Sequence, residues 1–341
     1  MNTLRSYKKL SVATGLRYAI NLAARTREQE GWKAASVATG RLLVDETKKR
    51  GRRAALRQRS DCPVTQQHKE LDVGVPLDGV VDDHVLMSPE IVTRLVDDLE
   101  RLPGGLTPVR LDPDEFAGHI RSFRYPRFYA GGSVATGGHR EKKMLEYFAC
   151  LKLMPINSSD VVIDIASERS VFPDVIRRLA GATVYRQDLI YASGLNGERI
   201  GGNAADMPVR EGFATKLTLH NSFEHFEGDA DAAFVREAWR VLRPGGAMCI
   251  LPVFLTDQHS ILTDPLVDRT DVQWDSDARV ISLVGHRNRF SRFYSPSTLE
   301  ARVLRPARDC GFRTTMFHLE NLHTVEPGSQ MHFALVFEKP S

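Results

Sequence analysis

Residues 237–253, EAWRVLRPGGAMCILPV, change from a helical to a strand pattern over a few positions. Ala238 and Val241 fall on one face of a predicted helix. Pro244-Gly245-Gly246 is expected to end this helix, because proline cannot continue a helix and glycine suits the turn that follows. The apolar run at 247–255 is typical of a buried strand. The segment therefore predicts a helix, a turn and a core strand in succession.

Strands and helices alternate in the same way upstream of this segment. Apolar runs and helical periodicity predict strands at 161–166, 182–188 and 216–221 and helices at 139–153 and 171–181. Such alternation is typical of an α/β fold with a mainly parallel sheet. Downstream, a predicted helix at 295–312 precedes two strands, at 313–321 and 331–340, which can pair as a hairpin. We therefore predict a Rossmann-like, doubly wound α/β sheet with an antiparallel C-terminal strand.

The composition is that of a globular protein. The chain has 341 residues, of which 42% are hydrophobic and 26% are charged, so collagen-like and largely disordered classes are excluded. No apolar run approaches the roughly 18 to 20 residues of a membrane span. The four cysteines are far apart and form no CxxC pair, and the histidines show no metal-ligand spacing. We expect a cytoplasmic protein with no metal and no transmembrane segment.

The net charge of +3 hides an asymmetry along the chain. Residues 1–60 contain 15 Lys and Arg against 4 Asp and Glu, whereas the remainder contains 31 basic and 39 acidic residues. We predict a basic helical N-terminal arm at 1–60, a lead region at 61–137 that would serve as a substrate lid, and the main domain at 138–341. The arm suits contact with an anionic surface, including a membrane-peripheral location. The commoner explanation of such a charge split is a solvated helical face or an arm folded onto the acidic body.

Polar side chains stand next to several of the predicted strands. Asp164 and Ser167 come at the end of the first strand, and Asp188 ends the second, 24 residues after Asp164. Ligands of an open parallel sheet bind at the carboxyl ends of strands, and an acid near this offset reaches ribose hydroxyls in nucleotide-binding folds. Asp206 precedes the third strand and Asn221 follows it. These positions predict a ribose-containing ligand at this edge of the sheet.

Three segments together resemble the class I S-adenosylmethionine-dependent methyltransferases, in the group that includes quinone-biosynthesis methyltransferases. The most specific is 237–253, which is similar to the family's acid-x-x-Arg-Val-Leu-(Lys/Arg)-Pro-Gly-Gly helix, turn and strand. NAADMPV (203–209) and NSFEHF (221–226) are similar to the family's (Gly/Asn)-Asp-Ala-x-x-(Leu/Met)-Pro segment and its Glu-His segment after a strand. The resemblance covers 138–341, and it implies S-adenosyl-L-methionine as the cofactor and methyl transfer as the activity.

The segment DIASERS (164–170) departs from the family pattern, which is an acid followed by Gly-x-Gly-x-Gly. Ala166, Glu168 and Ser170 occupy the glycine positions, and a Cβ at a tight glycine can strain φ or push the backbone away from a ligand. Two interpretations stay open: a degenerate domain that binds no cofactor, and a variant loop that still admits it. S-adenosylmethionine has no phosphates and needs no phosphate cradle, whereas Glu168 would repel the pyrophosphate of NAD or ATP.

The resemblance also implies a role for each residue near the strand ends. Asp164 and Ala166 would line the methionine moiety, with Ser167 in the same loop. Asp188 would accept from the ribose hydroxyls and Leu189 would lie against the adenine. The remaining cofactor contacts that it implies are Asp206 to the adenine amino group, Met207 beside the adenine, and Asn221 and Ser222 near the sulfonium. Each of these residues would also suit an ordinary cap or turn.

His225 is the candidate general base, since an imidazole titrates near neutrality. The alternative for this histidine is a structural one, in which it orients its own loop. Candidate substrate contacts are Tyr129, in the aromatic and basic stretch 123–129, and Arg289 and Arg292, in an insertion at about 256–294. The two arginines would recognise an anionic group, or would belong to a solvated hairpin with paired charges.

Methyl transfer from S-adenosylmethionine to a small-molecule or a lipid- or glycan-linked acceptor is the function that these residues predict best. The alternative is a catalytically inactive, methyltransferase-like binding protein with a basic membrane- or partner-binding arm, which the substituted loop would suit. A nucleic-acid methyltransferase would suit the basic arm. It is disfavoured because NSFE (221–224) lacks the Asn/Asp-Pro-Pro-aromatic motif of enzymes that methylate base amino groups.

Overall fold

The computed structural model describes residues 88–125, 139–168, 170–283, 286–326 and 329–341. The predicted arm at 1–60 and the candidate substrate contact Tyr129 lie outside the described residues. The first described element is helix α1 (Pro89–Glu100), which begins where the sequence places a Ser-Pro start signal. The Ser88 hydroxyl accepts a hydrogen bond from the Ile91 amide, so this serine is the helix N-cap.

Nine strands of the described residues form one mixed sheet. Its strands are β1 (Thr107–Val109), β2 (Val161–Ile165), β3 (Thr183–Asp188), β4 (Gly194–Asn196), β5 (Arg199–Gly201), β6 (Ala214–His220), β7 (Leu242–Leu251), β11 (Arg313–Leu319) and β12 (Phe333–Glu338). They lie in the order β1-β11-β12-β7-β6-β2-β3-β5-β4. A separate sheet contains β8 (Ser260–Thr263), β9 (Arg279–Ser282) and β10 (Ser291–Phe293).

The helices connect these strands and flank the sheet. They are α1, α2 (Pro113–Ser122), α3 (His139–Leu153), α4 (Phe172–Ala180), α5 (Ala230–Val241), α6 (Pro296–Leu299), α7 (Arg305–Cys310) and α8 (Leu322–Val325). A π-helical turn (Glu300–Leu304) joins α6 to α7, and a 3₁₀ turn (Phe223–His225) follows β6. Two large clusters of buried apolar side chains pack against the sheet. Among the described residues, none of the helices combines the length and the apolar character that crossing a bilayer requires.

The centre of the sheet is parallel and has one point where the strand order reverses. β2 pairs in parallel with β3 on one side and with β6 on the other. β12 then lies antiparallel between β7 and β11. The predicted doubly wound α/β sheet with an antiparallel C-terminal strand is therefore confirmed. In such a fold the crevice outside the carboxyl ends of β2, β3 and β6 is the expected ligand site.

The structure corrects the prediction that the helix before Pro244-Gly245-Gly246 continues to this tripeptide. Helix α5 ends at Val241, and Leu242 already pairs with Ala214 of β6. The tripeptide lies within β7, where Gly245 has a φ of 75°. A Cβ on Gly246 would lie 2.8 Å from the Arg243 carbonyl oxygen and 2.9 Å from that of Thr215. Strand pairing thus ends the helix early, and the second glycine permits the close approach of β7 to β6.

Candidate active site

The carboxyl ends of β2 and β6 are joined by the carboxylate of Asp164. Asp164 is 1% exposed, and its two oxygens accept hydrogen bonds from the hydroxyls of Ser167 (2.7 Å) and Thr218 (2.9 Å). Ser167 belongs to the loop after β2, whereas Thr218 belongs to β6. Asp164 therefore fixes the start of the loop relative to the neighbouring strand. Little of its carboxylate surface is left for direct contact with a ligand.

The loop after β2 keeps a glycine-like backbone without glycine. Ala166 has a φ of 50° and Glu168 a φ of 30°, in the left-handed region that side chains usually avoid. Each such residue costs roughly 1 to 2 kcal/mol of backbone strain. Two contacts with β3 hold the loop: the Ser167 amide donates to the Gln187 carbonyl oxygen (2.8 Å), and the Ala166 amide donates to Gln187 Oε1 (3.2 Å). Ala166 and Glu168 thus adopt the turn that glycine usually forms at these positions of the family pattern.

Asp188 ends β3 and is positioned by two backbone amides. Its Oδ2 accepts from the Glu168 amide (2.8 Å), and its Oδ1 accepts from the Ile190 amide (3.0 Å). Each carboxylate oxygen has a further lone pair, so the half-buried group can still accept from a ligand. The next residue, Leu189, is 75% exposed, which leaves an apolar surface beside the acid. We name the site formed by loop residues 164–168 and 170 and by the residues that end or follow β3 and β6 the strand-end crevice.

The 203–208 turn beside the strand-end crevice is held by two residues of α5. The Met207 amide donates to Glu237 Oε1 (2.7 Å), and the Arg240 guanidinium donates to the carbonyl oxygens of Met207 (3.0 Å) and Val209 (2.8 Å). Met207 is buried and Asp206 is exposed. The acid-x-x-Arg part of the sequence motif thus positions this turn. Sequence reasoning missed that role, although the spacing places Glu237 and Arg240 on one helical face.

Asn221 and Ser222 follow β6 and begin the far side of the strand-end crevice. Asn221 has a φ of 47°, and its side-chain amide donates to Glu146 Oε1 (2.5 Å). Glu146 is buried and also accepts from the Lys143 ammonium (2.8 Å). The Ser222 hydroxyl donates to the His220 carbonyl oxygen (3.0 Å). Asn221 is therefore oriented by α3, through Glu146, a residue that sequence reasoning did not single out.

A cavity of about 410 Å³ opens next to Asn221. We name it the histidine cavity, and its walls are Lys143, Asn221, Glu224, His225, Phe254, His286, Asn288, Ser291 and Phe293. The insertion at 256–294 supplies four of these residues. Burial raises the pKa of Glu224 above its usual value and lowers the pKa of His286 to about 4. The cavity thus combines two phenylalanine walls with titratable groups from distant parts of the chain.

His225 lies at the mouth of the histidine cavity, and its imidazole is held on one side. Nδ1 lies 2.7 Å from the Phe290 carbonyl oxygen and 3.2 Å from the Ser291 hydroxyl. Nε2 lies 3.7 Å from Glu224 Oε1, and the side chain is 37% exposed. The imidazole is therefore anchored and still reachable by a ligand.

The two candidate substrate arginines have different surroundings. Arg289 forms two hydrogen bonds with Glu227 (2.7 and 3.0 Å) and is 41% exposed. The Arg292 side chain is fully buried and pairs with Asp231 (2.9 Å) and Asp275 (2.6 and 2.7 Å). This guanidinium cannot reach a substrate, so the geometry gives Arg292 a structural role in place of the predicted one. Its partner Asp231 belongs to α5, so this pair holds the insertion against that helix.

Comparison with protein families gives one match within the chain. Residues 143–250 match the family model of a methyltransferase domain. This range contains Lys143, the loop 164–170, Asp188, His225 and most of β7. The match supports the resemblance to class I S-adenosylmethionine-dependent methyltransferases and agrees with S-adenosyl-L-methionine as the cofactor. No curated protein matches the chain.

Several solved structures are similar to the chain at low sequence identity. One is the Burkholderia thailandensis 1,6-didemethyltoxoflavin-N1-methyltransferase with 1,6-didemethyltoxoflavin and S-adenosylhomocysteine bound (15% identity, 68% of this chain, 92% of that chain, TM-score 0.41). Another is the Streptomyces coelicolor geranyl diphosphate C-methyltransferase with Mg²⁺, geranyl diphosphate and S-adenosyl-L-homocysteine (15%, 73% and 97%, TM-score 0.38). A third is a Methanosarcina mazei SAM-dependent methyltransferase (13%, 54% and 94%, TM-score 0.37).

Among the described residues, no group of three or more His, Cys, Asp or Glu side chains could hold a metal ion.

Proposed function

We propose that the chain is an S-adenosylmethionine-dependent methyltransferase that binds its cofactor in the strand-end crevice and its acceptor in the histidine cavity. The observation that carries the proposal is the meeting of the two sites at Asn221, which follows β6 and also lines the cavity. The acceptor would be a small molecule or the reactive end of a lipid- or glycan-linked one. Assignment to the quinone-biosynthesis group stays a prediction from the sequence motif.

The residues of the strand-end crevice fit this cofactor. The free lone pairs of Asp188 suit a ribose diol, and the exposed Leu189 suits the flat face of an adenine. Asp206 is exposed and would accept from the adenine amino group, beside Met207. The loop carries the Glu168 side chain where a phosphate-binding loop would carry none, which suits a cationic ligand better than a pyrophosphate. Asp164, Ala166 and Ser167 would shape the methionine pocket, with Asn221 and Ser222 near the sulfur.

The bound cofactor supplies an electrophilic methyl group on a positively charged sulfur. The protein must then align the acceptor atom and exclude water, and alignment alone can lower a barrier by roughly 7 to 11 kcal/mol. Phe254 and Phe293, with ring centroids 5.1 Å apart, would hold the acceptor from the apolar side. We propose that His225 takes a proton from it. Arg289, already paired with Glu227, would lie outside the reaction.

Isothermal titration of the full chain with S-adenosyl-L-methionine and with S-adenosyl-L-homocysteine tests the proposal. We expect saturable binding of both ligands, and no binding of NAD or ATP at the same concentrations. No heat and no thermal shift with either S-adenosyl compound at millimolar concentration would contradict the proposal. Such a result would favour the inactive, methyltransferase-like binding protein.

A further inference from the structure

We infer that the histidine cavity takes a protic acceptor, one whose reacting atom is the oxygen or nitrogen of an O–H or N–H group, and that Ser291 and His286 are positioning residues for His225. The inference rests on the proposed function, because it names the acceptor class of the same site. It has two independent supports, the hydrogen-bond chain behind His225 and a buried carboxylate oxygen of Glu224 that faces no donor.

The first support is the side of the His225 ring that faces the insertion. A carbonyl oxygen only accepts hydrogen bonds, so the 2.7 Å contact with the Phe290 oxygen places the ring hydrogen on Nδ1. The neutral imidazole then carries its lone pair on Nε2. Because Nε2 is too far from Glu224 Oε1 for a hydrogen bond, at 3.7 Å, this lone pair is open to a ligand. The ring is thus fixed in the tautomer that receives a proton at Nε2.

His286 determines the direction of the hydrogen bonds behind this ring. The Ser291 hydroxyl lies 2.8 Å from His286 Nε2 and 3.2 Å from His225 Nδ1. Burial lowers the pKa of His286 to about 4, so this histidine is neutral near pH 7, and in the tautomer with its hydrogen on Nδ1 its Nε2 accepts from Ser291. The Ser291 oxygen is then free to accept from His225 Nδ1. A hydrogen on His286 Nε2 would reverse the direction of both hydrogen bonds of the Ser291 hydroxyl. It would therefore favour the other tautomer of His225.

The second support is Glu224, which is 7% exposed and lines the same cavity. Its Oε2 is fully buried and has no hydrogen-bond partner among the described residues. Burial raises the pKa of this carboxyl group, as expected for an anion with too few donors around it. Lys143, the ammonium group in the cavity wall, is already paired with Glu146. A hydrogen-bond donor on the ligand would satisfy the oxygen once the carboxylate turns toward the cavity.

The two supports indicate the same ligand chemistry. His225 Nε2 and Glu224 Oε2 are both acceptors, so the side of the cavity that these two residues form is suited to a ligand that brings hydrogens. In the reaction, a lone pair of the acceptor oxygen or nitrogen would form the new bond to the methyl carbon as the methyl–sulfur bond breaks, and that bond's electron pair would leave on the sulfur. The O–H or N–H bond of the acceptor would break and its proton would move to His225 Nε2, so that the methylated product is neutral. The imidazolium keeps its Nδ1 hydrogen bond and lies beside the Glu224 carboxylate.

The test uses NMR of the full chain labelled with ¹⁵N-histidine, because ¹⁵N shifts report which ring nitrogen carries the hydrogen. Spectra would be recorded at a pH of about 8.5, at which an imidazole in water is neutral. A His225→Gln variant assigns the resonance. Wild type is expected to show the Nδ1–H tautomer for His225. Ser291→Ala and His286→Phe should each raise the minor tautomer about fivefold, the effect of one ordinary hydrogen bond.

Conservative variants distinguish a positioning role of Ser291 and His286 from a general loss of structure. Ser291→Thr keeps the hydroxyl and His286→Gln keeps an acceptor, so both should retain the wild-type tautomer ratio. His323→Gln, at an exposed site, is the matched control. An Nε2–H tautomer in wild type would overturn the inference. A tautomer ratio unchanged in Ser291→Ala and His286→Phe would overturn the roles of these two residues.

A second measurement tests the acceptor class with two matched probes. Phenol and anisole share a ring, but only phenol carries a hydroxyl hydrogen. Each would be titrated into protein saturated with S-adenosyl-L-homocysteine, with the His225 resonance as the readout. We expect phenol to bind at least about fivefold more tightly, and Glu224→Leu to reduce the difference. Equal affinities, or no response to either probe up to its solubility limit, would overturn the inference. Failure of the proposed function is distinguishable, because S-adenosyl-L-homocysteine itself would then not bind.

Discussion

The strand-end crevice and the histidine cavity meet at Asn221 but are built in different ways. In the crevice, short contacts link loops that follow neighbouring strands, as when the Glu168 amide donates to Asp188. In the cavity, the contacts join segments far apart in the chain, as when His225 meets the Phe290 carbonyl. The first site follows from the topology of a parallel sheet, whereas the second depends on how one insertion is anchored. The predictions below test that difference, beginning with the largest expected effect.

The first prediction concerns the anchor of the insertion. Arg292→Met removes a fully buried guanidinium, so Asp231 and Asp275 each lose a buried counter-charge and keep Arg302 and His259, respectively. We expect the free energy of unfolding to fall by about 3 to 5 kcal/mol, measured by urea denaturation. Arg289→Met is the matched control in the same insertion, and its half-exposed pair should cost less than about 1 kcal/mol. Equal losses in the two variants would contradict the assignment of Arg292 as the anchor.

The second prediction concerns acid sensitivity in the histidine cavity. Burial places the folded-state pKa of His286 at about 4, below the value of about 6.5 in an unfolded chain. The unfolded state then binds more protons, so the stability that this neutral histidine provides is lost as the pH falls from about 6.5 to about 4. Over this interval, the free energy of unfolding of His286→Gln should fall by up to about 3 kcal/mol less than that of the wild type.

The control for the acid series is the exposed His323, changed to glutamine in the same way. His119, which is buried, and His332, which is half-buried, also have pKa values of about 4, but they titrate in every variant and cancel in the difference. Parallel stability curves for wild type and His286→Gln would show that His286 is not held neutral by burial. The hydrogen bonds from His225 through Ser291 to His286 would then not have the direction that we assign to them.

The third prediction concerns the strand-end crevice. Asp188→Ala should weaken binding of S-adenosyl-L-homocysteine at least about tenfold, or about 1.4 kcal/mol, because the ribose hydroxyls lose a charged acceptor. Isothermal titration gives the affinity, and Asp98→Asn, at an exposed position in α1, serves as the control. An Asp188→Ala protein with wild-type affinity would remove the ribose assignment.

The fourth and smallest effect concerns the left-handed backbone of Ala166. Ala166→Gly relieves strain of about 1 to 2 kcal/mol and adds unfolded-state entropy worth about 0.4 to 1 kcal/mol. We expect a net gain of about 0.5 kcal/mol in unfolding free energy, with cofactor affinity unchanged. Ala233→Gly, in the interior of α5, should instead cost about 1 kcal/mol. A large rise in cofactor affinity in Ala166→Gly would show that the Cβ distorts the crevice.

The difference between the two regions also explains what the sequence could predict. The strands near Asp164 and Asp188 follow from local apolar runs, and the expected reversal of strand order brings their ends together. The early end of α5 could not be read locally, because the pairing of Leu242 with Ala214 overrides a helical pattern that continues to Pro244. Tertiary pairing decided that boundary, as it often does at helix ends.

The histidine cavity shows where sequence reasoning stopped. His225 was recognisable as a candidate base, but its partners Phe290, Ser291 and His286 come from a segment that carries no periodic signal. Arg292 was predicted to touch a substrate because a basic cluster looks the same whether its charges are free or paired. Only the fold shows that Asp231 and Asp275 surround this side chain.

A crystal structure of the full chain with S-adenosyl-L-homocysteine bound tests the central claim most directly. The account predicts the ribose at Asp188, the adenine beside Leu189, and the sulfur next to Asn221, facing the cavity that contains His225. A ligand bound elsewhere, or one whose sulfur faces away from this cavity, would contradict the account.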